Sequence, residues 1–237
     1  VEIQRRIDRI VRWIQHQVTE AGARGAVLGM SGGVDSSVAA ALCKRALGEE
    51  ALGLILPCHS APQDIEDAHW AAKAVGIRTE MVDLTPVYDL LLRQLPPGGR
   101  AACANLKPRL RMTCLYYYAN LQNLLVVGTS NASELAAGYF TKYGDGGADI
   151  LPIGSLLKRE VKELAHVLGI PQRIIQKSPS AGLWKGQTDE GELGLTYEQM
   201  DRYLAGGRVP PQTARRIEQL MAASVHKKRP PLIFQDP

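Results

Sequence analysis

The sequence predicts an α/β fold: a doubly wound parallel sheet with helices on both faces. Three observations point there. Short, continuously apolar runs alternate with helical patterns, the connections between them are short, and a glycine-rich turn joins the first run to the helix after it. Continuous apolar strands of this kind belong to parallel sheets covered on both sides.

The elements follow in order. Residues 1–22 place Ile3, Ile7, Ile10, Val11, Ile14 and Val18 at intervals of three and four, one apolar stripe on a helix. The stripe reads as core or subunit packing. A strand is expected over 26–30 and a helix over 36–47, stopped by Gly48. The pair repeats as strand 51–56 and helix 62–75, stopped by Gly76. Strand 78–83 leads to a helix with Thr85 as N-cap and Pro86 in the first helical position. A long helical segment, 104–122, runs into the apolar strand Leu124-Leu125-Val126-Val127.

Beyond residue 138 the pattern changes. A polar, glycine-rich loop covers 139–149, and Ser155 caps a helix from Leu156 to Leu168 that Gly169 and Pro171 close. Residues 178–195 are polar and irregular, with Gly182, Gly186, Gly191 and Gly194. Loops of that length inside a compact domain are usually functional lids or disordered segments, and a lid is the expectation here. Thr196 and Gln199 form a capping box for the next helix, and a last helix covers 211–225. There are no internal repeats, and residues 1–237 read as a single domain.

Composition excludes little. Hydrophobic residues make up 45% and charged residues 22%, ordinary for a soluble protein. The net charge of +4 is mild and suits anionic small molecules as well as nucleic acid. Local charge says more: Arg109, Arg111, Lys142, Lys158 and Lys185 lie near the motifs. The four cysteines form no CxxC pair, so reduced thiols in a cytoplasmic protein are expected. No apolar run reaches membrane-span length, and charges run through residues 1–23 where a signal peptide would be apolar. His16, His59, His69 and His166 have no metal-ligand spacing.

The chemistry begins at Gly29-Met30-Ser31-Gly32-Gly33-Val34-Asp35-Ser36-Ser37. A tight turn between strand and helix aims backbone N–H groups and a helix N-terminus at one point, which is an anion site. Ser31 and Ser36 add hydroxyl donors. Asp35 adds a carboxylate where phosphate would sit, and a metal ion bridging the two is the simplest reason for it. No Gly-Lys-Ser/Thr follows, so the turn is not a P-loop, and it is not GxGxxG either. ATP is the expected ligand. Ligands of doubly wound sheets bind at the carboxyl ends of the strands, near the switch in strand order. A second polar cluster, Gly128-Thr129-Ser130-Asn131, follows the fourth strand.

The Ser31 to Ser36 pattern resembles the pyrophosphatase loop of the N-type ATP pyrophosphatases, which have a Rossmann-like, adenine nucleotide alpha hydrolase-like fold. Four further groups of segments are similar to those of the ammonia-dependent NAD synthetases. They are Asn105 to Met112; Gly128 to Glu134; Tyr139 to Pro152; and the set Lys158-Arg159-Glu160, Pro179 to Leu183, Asp189 to Gly194 and His226-Lys227. The stretch Thr141 to Asp149 is the most specific of them.

The resemblance implies amidation of deamido-NAD with ammonia. The nicotinate carboxylate attacks the α-phosphorus of ATP, and ammonia then converts the acyl-adenylate to NAD and AMP. It implies ATP binding by Gly29, Met30, Ser31, Gly32, Gly33, Val34, Asp35, Ser36, Thr129, Lys158 and Ser180. It implies Mg²⁺ on Asp35 and Glu134, catalytic tasks for Lys158 and Asp145, and deamido-NAD on Arg109, Lys142, Asp149, His226 and Lys227. Asp145 is assigned to ammonia. A homodimer is also implied. Ser-Gly-Gly already at residue 31 leaves no room for an amidase domain, so free ammonia or a separate protein is the expected donor.

Each assignment has an ordinary alternative. Arg109 reads equally as a surface charge, Glu134 as a solvated helix residue and His226 as part of a basic tail. Lys158 in the first turn of a helix is unfavourable against the helix dipole, and a bound phosphate would reverse that. Ser130-Asn131 stands where the family often has Asp-His, and Gly182 where it often has Asp. A tRNA thiolase or lysidine synthetase would need a reactive cysteine pair or a larger basic extension, and neither is evident. A non-catalytic nucleotide sensor would not need the two carboxylates.

Overall fold

The computed structural model describes residues 1–184 and 186–235. Lys185, counted above among the basic residues near the motifs, lies outside the described residues. Four strands, β1 (Gly25–Gly29), β2 (Ala51–Ile55), β3 (Arg78–Met81) and β4 (Leu124–Val127), pair in parallel in the order β3-β2-β1-β4. Val27 on β1 faces Leu52 on one side and Val126 on the other, all three in the core. The strand order reverses between β1 and β4. Their carboxyl ends therefore open the crevice in which such sheets bind ligands.

Helices cover both faces. α1 (Glu2–Glu20), α2 (Val34–Leu47) and α3 (Pro62–Val75) pack on one face, α4 (Thr85–Gln94) and α5 (Arg100–Gln122) on the other. The apolar stripe of α1 enters the core through Ile7, Ile14 and Val18. α6 (Ala132–Ala137) follows β4, and α7 (Lys158–Val167) and α8 (Gln172–Gln176) join the α2 side. α9 (Asp189–Leu193), α10 (Tyr197–Leu204) and α11 (Pro211–Ala223) complete the chain. With α6 they bury Ala137, Leu193, Tyr197, Met200 and Ile217 in a third cluster. Among the described residues no helix is long and apolar enough to cross a membrane.

Two expected caps sit elsewhere. Thr85 takes the first helical position of α4, and the Asp83 carboxylate accepts its N–H at 2.9 Å. α7 begins at Lys158 rather than Leu156, because Asp201 on α10 accepts the N–H groups of Lys158 and Arg159 at 3.3 and 2.8 Å. A carboxylate distant in sequence thus does the capping expected of Ser155. α2 and α5 start earlier than expected, at Val34 and Arg100, and β3 stops at Met81. The irregular 178–195 segment contains α9, capped by Thr188, whose Oγ1 accepts the Gly191 N–H at 3.3 Å. The Thr196–Gln199 box is present on α10.

Candidate active site

The glycine-rich turn expected to hold phosphate leaves β1 and enters α2 with Gly33 as N-cap. Gly32 has φ +75°, and a Cβ there would lie 2.8 Å from both Ala68 N and Asp67 Cβ. Only glycine fits that conformation and that approach to α3. The Ser31 and Ser36 hydroxyls meet at 3.0 Å, the Gly33 N–H reaches Ser31 Oγ at 3.3 Å, and Ser37 Oγ donates to the Gly33 carbonyl at 2.7 Å. The turn is thus tied internally, with its helix N-terminus facing a cavity of about 1010 Å³. Cavities of that size are at the upper end for small-molecule sites.

Asp35, in the first turn of α2, and Glu134, in the first turn of α6, approach one another across the β1–β4 junction. Both accept from the ammonium of Lys158, Glu134 Oε1 at 3.2 Å and Asp35 through Oδ2. Asn131 fixes the pair. Its Nδ2 donates to Asp35 Oδ1 at 2.8 Å, and it exchanges capping-box bonds with Glu134 at 3.0 and 3.2 Å. Asn131 thus has a task of its own at a position where the sequence departs from the common family pattern.

Lys158 is 3% exposed. Burial alone would lower its pKa, but the charges of Asp35 and Glu134 overcome this and hold it above the usual lysine value. Burial, and then the Asp35 charge, push the Glu134 carboxyl above the carboxylate range. Tyr197 closes the cluster. Its ring lies 4.8 Å from Lys158 Nζ, and its hydroxyl sits 3.4 Å from Glu134 Oε1 and 3.1 Å from Asp189 Oδ2. Asp189 Oδ1 is buried with no hydrogen-bond partner among the described residues. Two carboxylates therefore share one lysine, a third stands behind Tyr197, and the cluster is short of positive charge.

That deficit fits a divalent cation. Mg²⁺ commonly takes one or two carboxylates and completes its shell with phosphate and water oxygens. Among the described residues no group of three or more His, Cys, Asp or Glu could hold a metal. Asp35 and Glu134 both reach a single cationic nitrogen, so the two residues fit a shared cation.

Thr129, Asp145, Ser180 and Lys227 also line the cavity. Asp145 Oδ1 accepts the Thr141 N–H at 2.9 Å, and crowding by the surrounding protein raises its pKa. Ser180 Oγ donates to the Gln187 carbonyl at 2.8 Å within the 178–195 segment. Arg109, Lys142, Asp149 and His226 stand outside the cavity lining. Arg109 donates to the Lys142 carbonyl at 3.4 Å, and Lys142 Nζ donates to the His226 carbonyl at 2.8 Å. Asp149 accepts from Val126 N at 2.7 Å and from the Tyr116 hydroxyl at 2.9 Å. Lys227 donates to the carbonyls of Gly138 and Phe140 at 2.8 and 2.9 Å.

Sequence reading missed Asn131, Asp189, Tyr197 and Asp201. Only Asn131 left a local signal, the Asn-x-x-Glu spacing of a capping box. Asp201 acts from α10, taking the Ser133 hydroxyl together with the first N–H groups of α7, and so fixes where Lys158 begins its helix.

Fold and site together define a doubly wound α/β protein in which a glycine turn, a paired-carboxylate centre and part of the 178–195 segment line one cavity. A sequence model for the family described as NAD synthase matches residues 6–231. The chain belongs to that family and, as a member, is a ligase that forms a C–N bond. It is 47% identical to an NH3-dependent NAD+ synthetase of Carboxydothermus hydrogenoformans, over 98% of this chain and 97% of that protein. Among solved structures it resembles an NMN synthetase from Francisella tularensis, with TM-score 0.95 and 38% identity over 99% of each chain. It also resembles an NH3-dependent NAD synthetase from Campylobacter jejuni, solved with a nitrate ion. There the TM-score is 0.84 and the identity 32%, over 99% of this chain and 100% of that one.

Proposed function

We propose that the chain catalyses ATP-dependent amidation of deamido-NAD with ammonia, giving NAD, AMP and pyrophosphate through an acyl-adenylate. The observation that carries this reading is the meeting of Asp35, Glu134 and Lys158 beside the phosphate turn. Curated relatives named as NH3-dependent NAD+ synthetases support it over nearly the whole chain.

In this reading the turn from Gly29 to Ser36 holds the phosphates that leave as pyrophosphate. The nicotinate carboxylate attacks the α-phosphorus, and the bond from that phosphorus to its bridging oxygen breaks. Lys158 offsets negative charge as it grows on the phosphate oxygens. Mg²⁺, held by Asp35 and Glu134, would supply further neutralisation of the triphosphate. Thr129 and Ser180 contact ATP from the end of β4 and from the lid. Ammonia then attacks the acyl carbon, the nitrogen sheds a proton, and AMP leaves with the bonding electrons. Asp145 accepts hydrogen bonds from the incoming nitrogen. The lid keeps water from the adenylate. Arg109, Lys142, Asp149, His226 and Lys227 bind the dinucleotide, and the working form is a cytoplasmic homodimer using free ammonia.

A second reading replaces the acceptor with nicotinate mononucleotide. The observation favouring it is the TM-score of 0.95 to the NMN synthetase from Francisella tularensis. One experiment separates the two. The protein is incubated with ATP, Mg²⁺, ammonium and either acceptor. NAD with equal AMP and pyrophosphate supports the first reading, and NMN made faster than NAD supports the second. ADP and phosphate, or products independent of both acceptors, would overturn both.

A further inference from the structure

Trp184 is a large aromatic residue in an otherwise polar, glycine-rich lid, and none of the steps above uses it. It is partly buried and lines the cavity together with Arg100 and Ala101 at the start of α5. The backbone around it is fixed. Lys107 Nζ, buried beneath the lid, donates to the Leu183 carbonyl at 2.8 Å, and the Leu183 N–H reaches Gln187 Oε1 at 2.7 Å. The Gln187 N–H donates to the Trp184 carbonyl at 3.3 Å. The Arg100 guanidinium lies 5.6 Å from the indole centroid. A cation over an aromatic ring is attracted by its quadrupole, which steadies the ring on the wall of the cavity.

From this geometry we infer that Trp184 is a binding residue whose indole stacks on the flat heteroaromatic ring of a nucleotide in the cavity. Three rings in the proposed reaction share that chemistry, the adenine of ATP and the adenine and pyridine rings of the acceptor. Stacking on a π-face tolerates either base, and Arg100 at the rim adds positive charge for an anionic ligand. The inference rests on the reading that this cavity holds nucleotides.

The test uses the protein's own fluorescence. Trp13→Phe with Trp70→Phe leaves Trp184 as the sole indole, since both replaced residues are surface-exposed. The emission is titrated separately with α,β-methylene-ATP and with deamido-NAD. Saturable quenching by one of them is expected and identifies the nucleotide that stacks on Trp184. In an otherwise unaltered chain, Trp184→Leu keeps apolar bulk but removes the ring. It should raise the KM of that same nucleotide about tenfold, while Trp184→Phe raises it far less. Emission unmoved by both nucleotides would overturn the inference, as would equal KM values for the Leu and Phe variants. Quenching by α,β-methylene-ATP in a protein that forms no amide would uphold the stacking while refuting the amidation.

Discussion

The inner and outer halves of the proposed site are built differently. Asp35, Glu134 and Lys158 come from three helix N-termini and are held by Asn131, Asp201 and Tyr197, with little solvent between them. Arg109, Lys142 and His226 form a chain of side-chain-to-carbonyl bonds that links α5, the 139–149 loop and the C-terminal turn, mostly in solvent. The contrast separates two tasks. Charge that develops during reaction needs buried, preorganised partners, whereas a soluble anionic ligand needs only accessible cations. Substitutions in the inner half should therefore lower turnover, with lost stability as well where a buried charge loses its partner, and those in the outer half should mainly lower affinity.

Lys158→Met should have the largest effect. It leaves Asp35 and Glu134 facing each other without their cation, and breaking such a buried group costs about 3–5 kcal/mol. Urea unfolding measures the loss, and turnover should fall with it. A stability unchanged from the parent protein would mean that the carboxylates repel less than their burial implies.

Asp35→Asn keeps the shape of the side chain and should leave the fold largely intact. Turnover should drop about 100- to 1000-fold through lost stabilisation of phosphate charge. Circular dichroism and steady-state rates, measured together, distinguish this from unfolding.

The raised Glu134 carboxyl makes a signed prediction for the ligand-free protein. Its folded pKa lies above its unfolded one, so the native state binds the extra proton between the two. Stability should thus decline as pH rises from the ordinary carboxylate range through the raised folded value. Glu134→Gln should flatten that slope, as read from melting temperature against pH. A parent protein that gains stability over the same range would contradict the assignment.

Arg109→Ala tests the outer half. It should raise the KM for the dinucleotide about tenfold with little change in kcat, the pattern of lost uniform binding. Ser180→Ala should have the smallest effect, a few-fold in the KM for ATP, since one neutral hydrogen bond contributes about 1 kcal/mol. If Arg109→Ala instead lowers kcat as far as Asp35→Asn does, the division between the halves is wrong.

The sequence made the frame readable because its signals are local. Leu124 to Val127 is a buried parallel strand by composition, and the Gly29 to Ser36 turn declares its own strand and helix. The approach of Asp35 to Glu134 was also legible, since each follows a strand expected at the switch. What stayed hidden depends on chain segments distant in sequence. Asp201 caps α7 from 43 residues away, and the Tyr197 hydroxyl reaches Glu134 across 63. No periodicity or spacing near either residue records those contacts. The cap expected of Ser155 failed for that reason, and the cap expected of Thr85 gave way to Asp83, only two residues before it. Both residue types suit the role, but a carboxylate already occupied the N–H groups concerned.

The central claim is that the inner cluster and its phosphate turn cut ATP between the α and β phosphates. Isotope exchange tests it most directly. Labelled pyrophosphate is added with ATP, Mg²⁺ and deamido-NAD, and ammonium is withheld. The account predicts label returning to ATP only when the acceptor is present, because adenylate formation reverses. Label remaining in pyrophosphate while ADP accumulates would contradict it.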